Sequence, residues 1–476
     1  MSGKIRRCRP ARQLGKLGGT LASRSVSRLA SLRGYFSWFP GRYTMPFESI
    51  APAVDLIALA ASFPAEFPYL LQSAGDEGWD ILFALPERVK VYGARDGAAL
   101  HHDLAAIAVA PQAKQSHLPF AGGWVVYLGY EWLETIEPMV AARADDQFPL
   151  GLLARVPAAV MLERGSGQIH LMAETAVQLE RLQSLLAQCP LHEARPVALA
   201  ALAEDRPDAF LAGVARCKQY IRDGDVFQVN LSRGWDAQLA PDVTPIDLFS
   251  QLRCANPAPF SAYVDLGGGH AIVSSSPERL VRVDGDGRVE TRPIAGTHPR
   301  SPDVEEDARQ KQRLIASTKE RAEHVMLIDL ERNDLGRIAV PGTVKVDALM
   351  EVTSYTYVHH IESTVSCTIR PGCTVADVMR ALFPGGTITG CPKVRCMQII
   401  RELEDRPRHA YTGSLGYINL DGTLDLNILI RTFMQDGERL YFRAGAGIVA
   451  DSDPERELNE TRAKARGLLR ALGVAA

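Results

Sequence analysis

The stretch FSAYVDLGGGHAIVS at residues 260–274 determines the fold class that the sequence predicts. Two apolar, β-rich runs flank three glycines and a histidine, which is the pattern of two strands joined by a tight turn. A similar run follows at 288–291, and runs at 415–419, 426–433 and 439–444 predict a three-strand meander. Because short turns join strands in antiparallel order, these segments predict an α+β protein built on antiparallel sheets.

Helices and further strands are predicted on both sides of this region. Apolar residues at helical spacing predict helices at 54–61, 208–223, 307–333 and about 454–472. Short apolar runs predict strands at 67–73, 79–84 and 122–131. Residues 174–204 have the pattern of a helix followed by a proline-broken linker, so we place the main boundary near 190–207.

Composition excludes several classes of protein. The chain has 476 residues, of which 46% are hydrophobic and 23% are charged, as in ordinary globular proteins. It contains no run of 18 apolar residues, so no transmembrane helix is expected. The eight cysteines form no Cys-x-x-Cys pair, which excludes a zinc ribbon and suits a reducing compartment. We therefore expect a soluble cytoplasmic protein.

The net charge of −3 conceals an asymmetry. Residues 1–44 carry ten basic side chains and no acidic one, so the remainder has 43 basic and 56 acidic residues. An acidic body does not indicate a nucleic-acid partner. The basic segment 1–44 has three interpretations: a poorly ordered extension before Met45, which we favour, a transit peptide, or a phosphate-binding arm.

Two pairs of glutamates have the spacing of one helix face. Glu320 and Glu323 are three residues apart on one predicted helix, and Glu457 and Glu460 are three apart on another. Carboxylates from two helices are suitable oxygen ligands for a hard cation such as Mg²⁺. The alternative is a solvated helix face on which Glu460 and Lys464 form an ordinary i, i+4 ion pair.

Two glycine-rich loops resemble nucleotide-binding motifs only weakly. Residues 445–450 (GAGIVA) fit the pattern G-x-G-x-x-A, but the following helix opens with acidic residues and no βαβ unit surrounds it. The glycines of this loop still allow backbone N–H groups to approach an anion closely, and a carboxylate would be a suitable anion. Residues 385–393 (GGTITGCPK) lack Gly-Lys-Ser/Thr at the required positions, so ATP binding is rejected.

Three further features could carry chemistry. Glu278 follows an apolar strand, where burial could raise its pKa for acid catalysis, although an N-terminal helix cap is the alternative. His359 and His360 lack the spacing of metal ligands. Arg431 lies in an apolar segment and needs a partner, and a bound carboxylate would match its planar fork.

These motifs, taken in order, resemble those of the chorismate-utilising enzymes from about residue 67 to the end of the chain. Further segments that carry the resemblance are GDVFQVNLS (224–232), PIAGT (293–297) and DLERNDLGR (329–337). The resemblance implies an N-terminal anthranilate synthase component I-like region at 45–200 and a chorismate-binding catalytic domain at 205–473.

The resemblance also implies a nucleophile. In the isochorismate branch a lysine that activates water stands at the position of Gln228, and a glutamine cannot act as that base, so ammonia is implied. Four segments resemble the aminodeoxychorismate synthase component I branch, namely PFSAY (259–263), TITG (387–390), GSLGY (413–417) and SDPE (452–455). One position departs from that branch. Many of its members have a lysine at the position of Ala295, whereas anthranilate synthase component I has an alanine there, as this sequence does.

The resemblance implies two antiparallel sheets flanked by helices around a deep cleft that holds chorismate. Mg²⁺ would be ligated by Glu323 and Glu460, with Glu320 and Glu457 acting through waters, and Glu278 would be the general acid. The implied substrate-binding residues are Thr387, Tyr411, Arg431, Gly445, Ala446, Gly447 and Lys464. The other implied catalytic residues are His360, Gln228, Ala295 and Thr297.

The implied activity is the conversion of chorismate and ammonia to 4-amino-4-deoxychorismate for 4-aminobenzoate and folate biosynthesis. The sequence has no nucleophilic-cysteine elbow, so a separate glutamine amidotransferase subunit would supply the ammonia in a heterodimer. One alternative is anthranilate synthase component I of tryptophan biosynthesis. The other is a catalytically inactive homologue that senses a ligand.

Overall fold

The computed structural model describes residues 47–109, 117–141, 143–190, 192–354 and 358–474, so the basic segment 1–44 lies outside the described residues. Twenty-two strands in this part of the chain form two sheets in which all neighbouring strands are antiparallel. Eleven helices flank them. The predicted α+β class with two antiparallel sheets is confirmed.

The first sheet has twelve strands. In spatial order they are β1 (Phe47–Ala51), β8 (Gln168–Ala173), β7 (Ala158–Glu163), β3 (Trp79–Ala84), β2 (Tyr69–Gln72), β11 (Phe260–Gly267), β12 (His270–Ser276), β21 (Thr432–Asp436), β22 (Arg439–Ile448), β10 (Gln228–Leu239) and β18 (Gly390–Cys391), with β9 (Leu199–Glu204) also beside β10.

The second sheet has ten strands. In order they are β15 (Ile294–Pro299), β17 (Val358–Thr368), β14 (Arg288–Thr291), β13 (Arg279–Val283), β20 (Leu424–Ile428), β19 (Ser414–Asn419), β5 (Gly123–Leu128), β6 (Gly151–Val156) and β4 (Arg88–Tyr92), with β16 (Lys345–Ser354) also beside β17. In each sheet the strands from before residue 190 lie together at one end and meet the later strands at one junction, β2–β11 in the first sheet and β5–β19 in the second.

The helices have the following bounds: α1 (Leu56–Ser62), α2 (Gly97–Ala105), α3 (Leu133–Ile136), α4 (Ala176–Ala187), α5 (Pro207–Arg222), α6 (Pro245–Ala255), α7 (Val304–Ala316), α8 (Thr318–Gly336), α9 (Val375–Leu382), α10 (Lys393–Leu403) and α11 (Pro454–Ala471). None of the helices in the described residues has the length and apolar character needed to span a bilayer.

The twelve-stranded sheet is buried on both faces, which explains the continuous apolar runs in its strands. In β12, Ile272 packs in the cluster between the two sheets, whereas its neighbour Val273 packs in the cluster beneath α1, α4, α6 and α11. Because successive side chains of a strand point to opposite faces, both must be apolar here. The two sheets and the helical layer therefore form three stacked layers.

The long helix predicted at 307–333 is two helices. Ser317 has an extended backbone between α7 and α8, and its side chain accepts a hydrogen bond from the Glu320 N–H. A serine that caps the second helix in this way ends the first, although the apolar periodicity continues across it. Glu320 and Glu323 both lie on α8, as predicted.

The prediction of a single strand at 426–433 is also wrong. Its residues belong to β20 and β21, which lie in different sheets, and the chain changes sheets at Leu429–Arg431. Arg431 has a left-handed φ of +52° at this crossover. The linker predicted after α4 likewise contains a strand, β9, which pairs with β10.

Candidate active site

Glu278 is the acidic centre of the predicted site. It follows β12 and precedes β13, so no helix begins there and the helix-cap alternative is wrong. Its side chain is 5% exposed, and the Thr387 hydroxyl donates to its Oε1 at 2.6 Å. Burial raises the pKa of Glu278 to about 8, helped by the nearby Glu331 and Glu362 carboxylates. At neutral pH the group is therefore mostly a protonated acid.

Arg431 is held beside Glu278 by the crossover between the sheets. Its carbonyl accepts the Ser275 N–H at 3.1 Å, which fixes the strained backbone. Burial lowers the pKa of Arg431, and the Glu278 carboxyl opposes that effect. No hydrogen bond or ion pair to the Arg431 guanidinium is found among the described residues, so it can bind an external anion.

His360 lies on β17, opposite Thr297 of β15. Its Nδ1 is 3.0 Å from the Gly296 carbonyl oxygen, which can only accept, so Nδ1 carries the proton and Nε2 is unprotonated. Burial and the positive charge of Arg431 lower the pKa of His360 to about 4, which keeps the ring neutral. Ala295 is half-buried on β15, and the Thr297 side chain lies outside the described part of the chain.

The glycines of β22 form a further wall of the predicted site. A Cβ built on Gly445 would lie 2.7 Å from the Tyr411 hydroxyl, and one on Gly447 would lie 2.3 Å from Gln228 Nε2. Both glycines are therefore required by close approach rather than by a special φ. Lys464 donates to the Gly445 carbonyl at 3.0 Å, which places its ammonium at this wall.

The structure thus brings together most of the predicted catalytic and substrate-binding residues. Glu278 contacts Thr387, Arg431 acts electrostatically on both Glu278 and His360, and Lys464 also lowers the pKa of His360. A buried acid, a partly buried guanidinium, an ammonium and a neutral imidazole are suited to binding a carboxylate and protonating a leaving oxygen.

The four predicted metal ligands lie on two helices, Glu320 and Glu323 on α8 and Glu457 and Glu460 on α11. Glu460 forms the i, i+4 ion pair with Lys464 at 2.8 Å that the alternative interpretation expected. A Cβ built on Gly296 would lie 3.0 Å from Glu320 Oε2, so this carboxylate borders the loop that His360 contacts. The described residues contain no group of three or more His, Cys, Asp or Glu side chains arranged to hold a metal ion. Mg²⁺ stays a prediction that rests on the chemistry of its donors.

Two buried groups were not predicted. Glu331 on α8 is 5% exposed and accepts the Thr291 hydroxyl at 2.9 Å, and burial together with Asp334 raises its pKa to about 7. Glu404 accepts from Arg408 and Arg443 at 2.7 and 2.9 Å. In the sequence Glu331 is a charged residue inside a helical pattern and Glu404 one at a helix end, and only their burial distinguishes them from solvated glutamates.

Comparison with known proteins gives a consistent result. A family model described as chorismate binding enzyme matches residues 66–470. An anthranilate synthase component I-like protein of Synechocystis is 42% identical over 361 residues, covering 75% of this chain and 74% of that protein. Aminodeoxychorismate synthase component 1 of Klebsiella aerogenes is 39% identical over 81% of this chain and 85% of its own length. The crystal structure of anthranilate synthase component I from Streptococcus pneumoniae superimposes with a TM-score of 0.71 at 30% identity, covering 84% of this chain and 93% of that one.

Proposed function

This chain belongs to the chorismate-binding enzymes, and on that premise we propose that it is an aminodeoxychorismate synthase component I. It would convert chorismate and ammonia to 4-amino-4-deoxychorismate, the precursor of 4-aminobenzoate and folate. The observation that supports the chemistry is Glu278, whose pKa is raised to about 8, beside the guanidinium of Arg431, and the segments 259–263, 387–390, 413–417 and 452–455 favour this branch. An acid is needed because the C4 hydroxyl of chorismate is a poor leaving group until its oxygen receives a proton.

Each proposed role follows from one contact. Thr387 donates to the Glu278 carboxyl at 2.6 Å, which fixes the orientation of the acid. Arg431 and Lys464 would bind the substrate carboxylates, with the β22 glycines allowing close approach of backbone amides. His360, neutral and bound through Nδ1 to Gly296, would border the ring without adding charge.

Ammonia is the proposed nucleophile because Gln228 occupies the position where the isochorismate branch has the lysine that activates water. Gln228 is 8% exposed and its amide lies against Gly447. A neutral amide cannot take a proton from water, whereas ammonia attacks without such help. We propose that a glutamine amidotransferase subunit supplies it. The seven cysteines in the described residues are free thiols, which supports the expected cytoplasmic location.

Magnesium is the proposed cofactor. Glu323 and Glu460 would hold it, with Glu320 and Glu457 behind them, and it would supply positive charge for the substrate carboxylate. These oxygen donors suit Mg²⁺, and Glu460 would have to exchange its ion pair with Lys464 for the metal.

Anthranilate synthase component I is the second candidate function, and two observations favour it. Ala295 occupies the position where the covalent route through lysine would start, and a relative named as anthranilate synthase component I-like is 42% identical. The residues that favour aminodeoxychorismate synthase would affect the substrate only through the shape of the cleft. Ser261, Thr389 and Ser414 each donate their hydroxyl to a nearby backbone carbonyl, so they would shape the cleft rather than touch the ring.

The products of one reaction separate the two candidates. The purified chain is given chorismate, ammonium and Mg²⁺, with and without an added aminodeoxychorismate lyase. The proposal expects 4-aminobenzoate only when the lyase is present, and neither pyruvate nor anthranilate fluorescence in its absence. Anthranilate without the lyase would favour the second candidate, and absence of chorismate consumption would favour the inactive, ligand-sensing homologue.

A further inference from the structure

Glu331 is a second buried carboxyl group close to Glu278. It lies on α8, whereas Glu278 lies between β12 and β13, and both residues are 5% exposed. Burial raises the pKa of Glu278, and among charged groups the Glu331 carboxylate raises it most. The proposed reaction gives Glu331 no role, although burying a carboxyl group is costly unless its oxygens are bound.

One segment of the chain, 291–294, connects the two carboxyl groups. It joins β14 to β15, and its first residue, Thr291, donates its hydroxyl to Glu331 at 2.9 Å. The N–H of its last residue, Ile294, donates to Glu278. A movement of this turn would therefore change the contacts of both carboxyl groups.

A second segment, the loop 385–387, connects them again. The Gly386 N–H donates to Glu331, and the next residue, Thr387, donates its hydroxyl to Glu278 at 2.6 Å. A Cβ built on Gly386 would lie 3.3 Å from Glu331 Oε1, so this loop packs directly against the carboxyl group on α8. Glu331 thus holds both of the segments that in turn hold Glu278.

The charge of Glu331 depends on its own neighbours. Burial raises the pKa of Glu331 to about 7, the Asp334 carboxylate adds to this effect, and the positive charge of Lys393 opposes it. Asp334 and Lys393 form an ion pair with each other. At about pH 8 Glu331 is therefore mostly ionised, whereas Glu278 still keeps its proton in about half of the molecules.

Two other charged groups act on Glu278. The Glu362 carboxylate on β17 raises the pKa of Glu278, although less than Glu331 does. Arg431 and Glu278 attract each other, and this attraction favours the ionised form of the carboxyl group. A negative charge nearby is what opposes such an attraction and keeps the acid protonated.

We propose that Glu331 is a positioning residue for the general acid Glu278. It fixes the turn 291–294 and the loop 385–387, and its negative charge keeps the proton on Glu278 above neutral pH. Glu331 acts through Glu278 rather than on the substrate. This role rests on the proposed function, because it affects the reaction only if Glu278 protonates the leaving oxygen.

The charge is tested with Glu331→Gln. The amide keeps the length of the side chain, its oxygen can accept the Gly386 N–H, and its NH₂ group can donate to the Thr291 hydroxyl. Chorismate consumption is measured from about pH 5.5 to 9 at a constant concentration of free ammonia. The alkaline limb of kcat/KM should move at least about 0.5 pH unit lower, while the rate at about pH 6 changes less than about threefold. An unshifted limb would refute the charge role.

Asp329→Asn is the matched control for this substitution. It removes one negative charge from an exposed position of the same helix, so the alkaline limb should stay within about 0.2 pH unit of that of the parent protein. A shift as large as that of Glu331→Gln would show that net charge, and not the buried contact, sets the protonation of the acid.

The positioning role is tested with Glu331→Met. Methionine has a similar length but leaves the Gly386 N–H buried without its acceptor. This variant should shift the limb as glutamine does and should also lower kcat at about pH 6 by at least about tenfold. A rate equal to that of Glu331→Gln would refute the positioning role. If circular dichroism shows that the variant does not fold, Thr291→Val, which removes one contact of Glu331, takes its place with an expected loss of at least about threefold.

Unfolding in guanidinium gives a measurement that does not depend on activity. Glu278→Gln, Glu331→Gln and the double variant are compared with the parent protein at about pH 6 and 8.5. Removal of either charge relieves the same repulsion, so the two single effects should be less additive at the higher pH, where both groups ionise. Equal coupling at both pH values would refute the electrostatic link. Absence of turnover by the parent protein would instead count against the proposed function, and the coupling would still decide the link between the two carboxyl groups.

Discussion

Replacing Glu278 with glutamine should lower activity and raise stability at the same time. The carboxyl is 5% exposed and its pKa is raised from 4.5 to about 8, mainly by burial. The folded state therefore holds a proton that the unfolded state has released between about pH 4.5 and 8. Stability must fall as the pH rises through this window, because the unfolded state binds fewer protons there.

The magnitude follows from the pKa difference. Keeping the buried acid protonated at pH 7 costs up to about 3 kcal/mol relative to an unfolded chain with an ordinary pKa. Glutamine is neutral at every pH and keeps an oxygen that can accept from Thr387. Glu278→Gln should therefore be up to about 3 kcal/mol more stable at pH 7 and should lose this advantage below about pH 4.5.

The activity should change in the opposite direction. General acid catalysis typically contributes about 10²- to 10⁴-fold, so the rate of chorismate consumption should fall by that factor. The assay pairs initial rates at pH 7 with guanidinium unfolding at pH values from about 5 to 8.5. Glu180→Gln, an exposed position on α4, serves as the matched control. A variant with more than about a tenth of the normal rate would refute the acid role. Parallel stability profiles of the variant and the parent protein would refute the burial argument.

Three further predictions follow from the same site. Glu323→Ala or Glu460→Ala should nearly abolish turnover without unfolding the protein. Exhaustive chelation should likewise stop the parent enzyme, and full activity after chelation would exclude the metal. With Ala295 in place of a lysine, ammonia would add at C2 while the protonated C4 hydroxyl leaves as water, and a second ammonia adding at C4 would expel the first. Rapid quench should therefore yield a free 2-substituted intermediate, and a protein-bound adduct in the intact mass would contradict this. Arg431→Met should raise the KM for chorismate by about 10²-fold or more, because a charge-assisted bidentate contact is lost, and an unchanged KM would remove Arg431 from the substrate contacts.

Local features of the fold were predictable from the sequence because they depend on neighbouring residues. The alternation in 260–274 correctly gives β11 and β12, and the apolar spacing after residue 454 gives α11. The pairing of strands from distant parts of the chain was not predictable in this way. At 426–433 the strand pattern continues across Arg431, although the chain changes sheets there. An arginine with positive φ gives no signal in the sequence, since glycine or asparagine is the residue expected at such a position.

In the candidate site, too, residue types were predictable from the sequence, whereas features that depend on tertiary packing were not. Glu278, Thr387 and Arg431 lie on separate segments that the resemblance named and the fold brings together. Glu331 was missed because a glutamate inside a charged helix motif is usually solvated, and its burial against Thr291 depends on tertiary packing. The four predicted metal ligands share helix faces as their spacing required, but spacing alone cannot fix the distance between two helices.

The central claim is that nitrogen enters chorismate at C4 while the enolpyruvyl group is retained. The most direct measurement is mass spectrometry and NMR of the product formed from chorismate, ¹⁵N-ammonium and Mg²⁺, analysed before any lyase is added. We expect a product that contains one ¹⁵N at C4 and the intact enolpyruvyl group, with no pyruvate released. An aromatic product with ¹⁵N at C2 and one equivalent of pyruvate would contradict it.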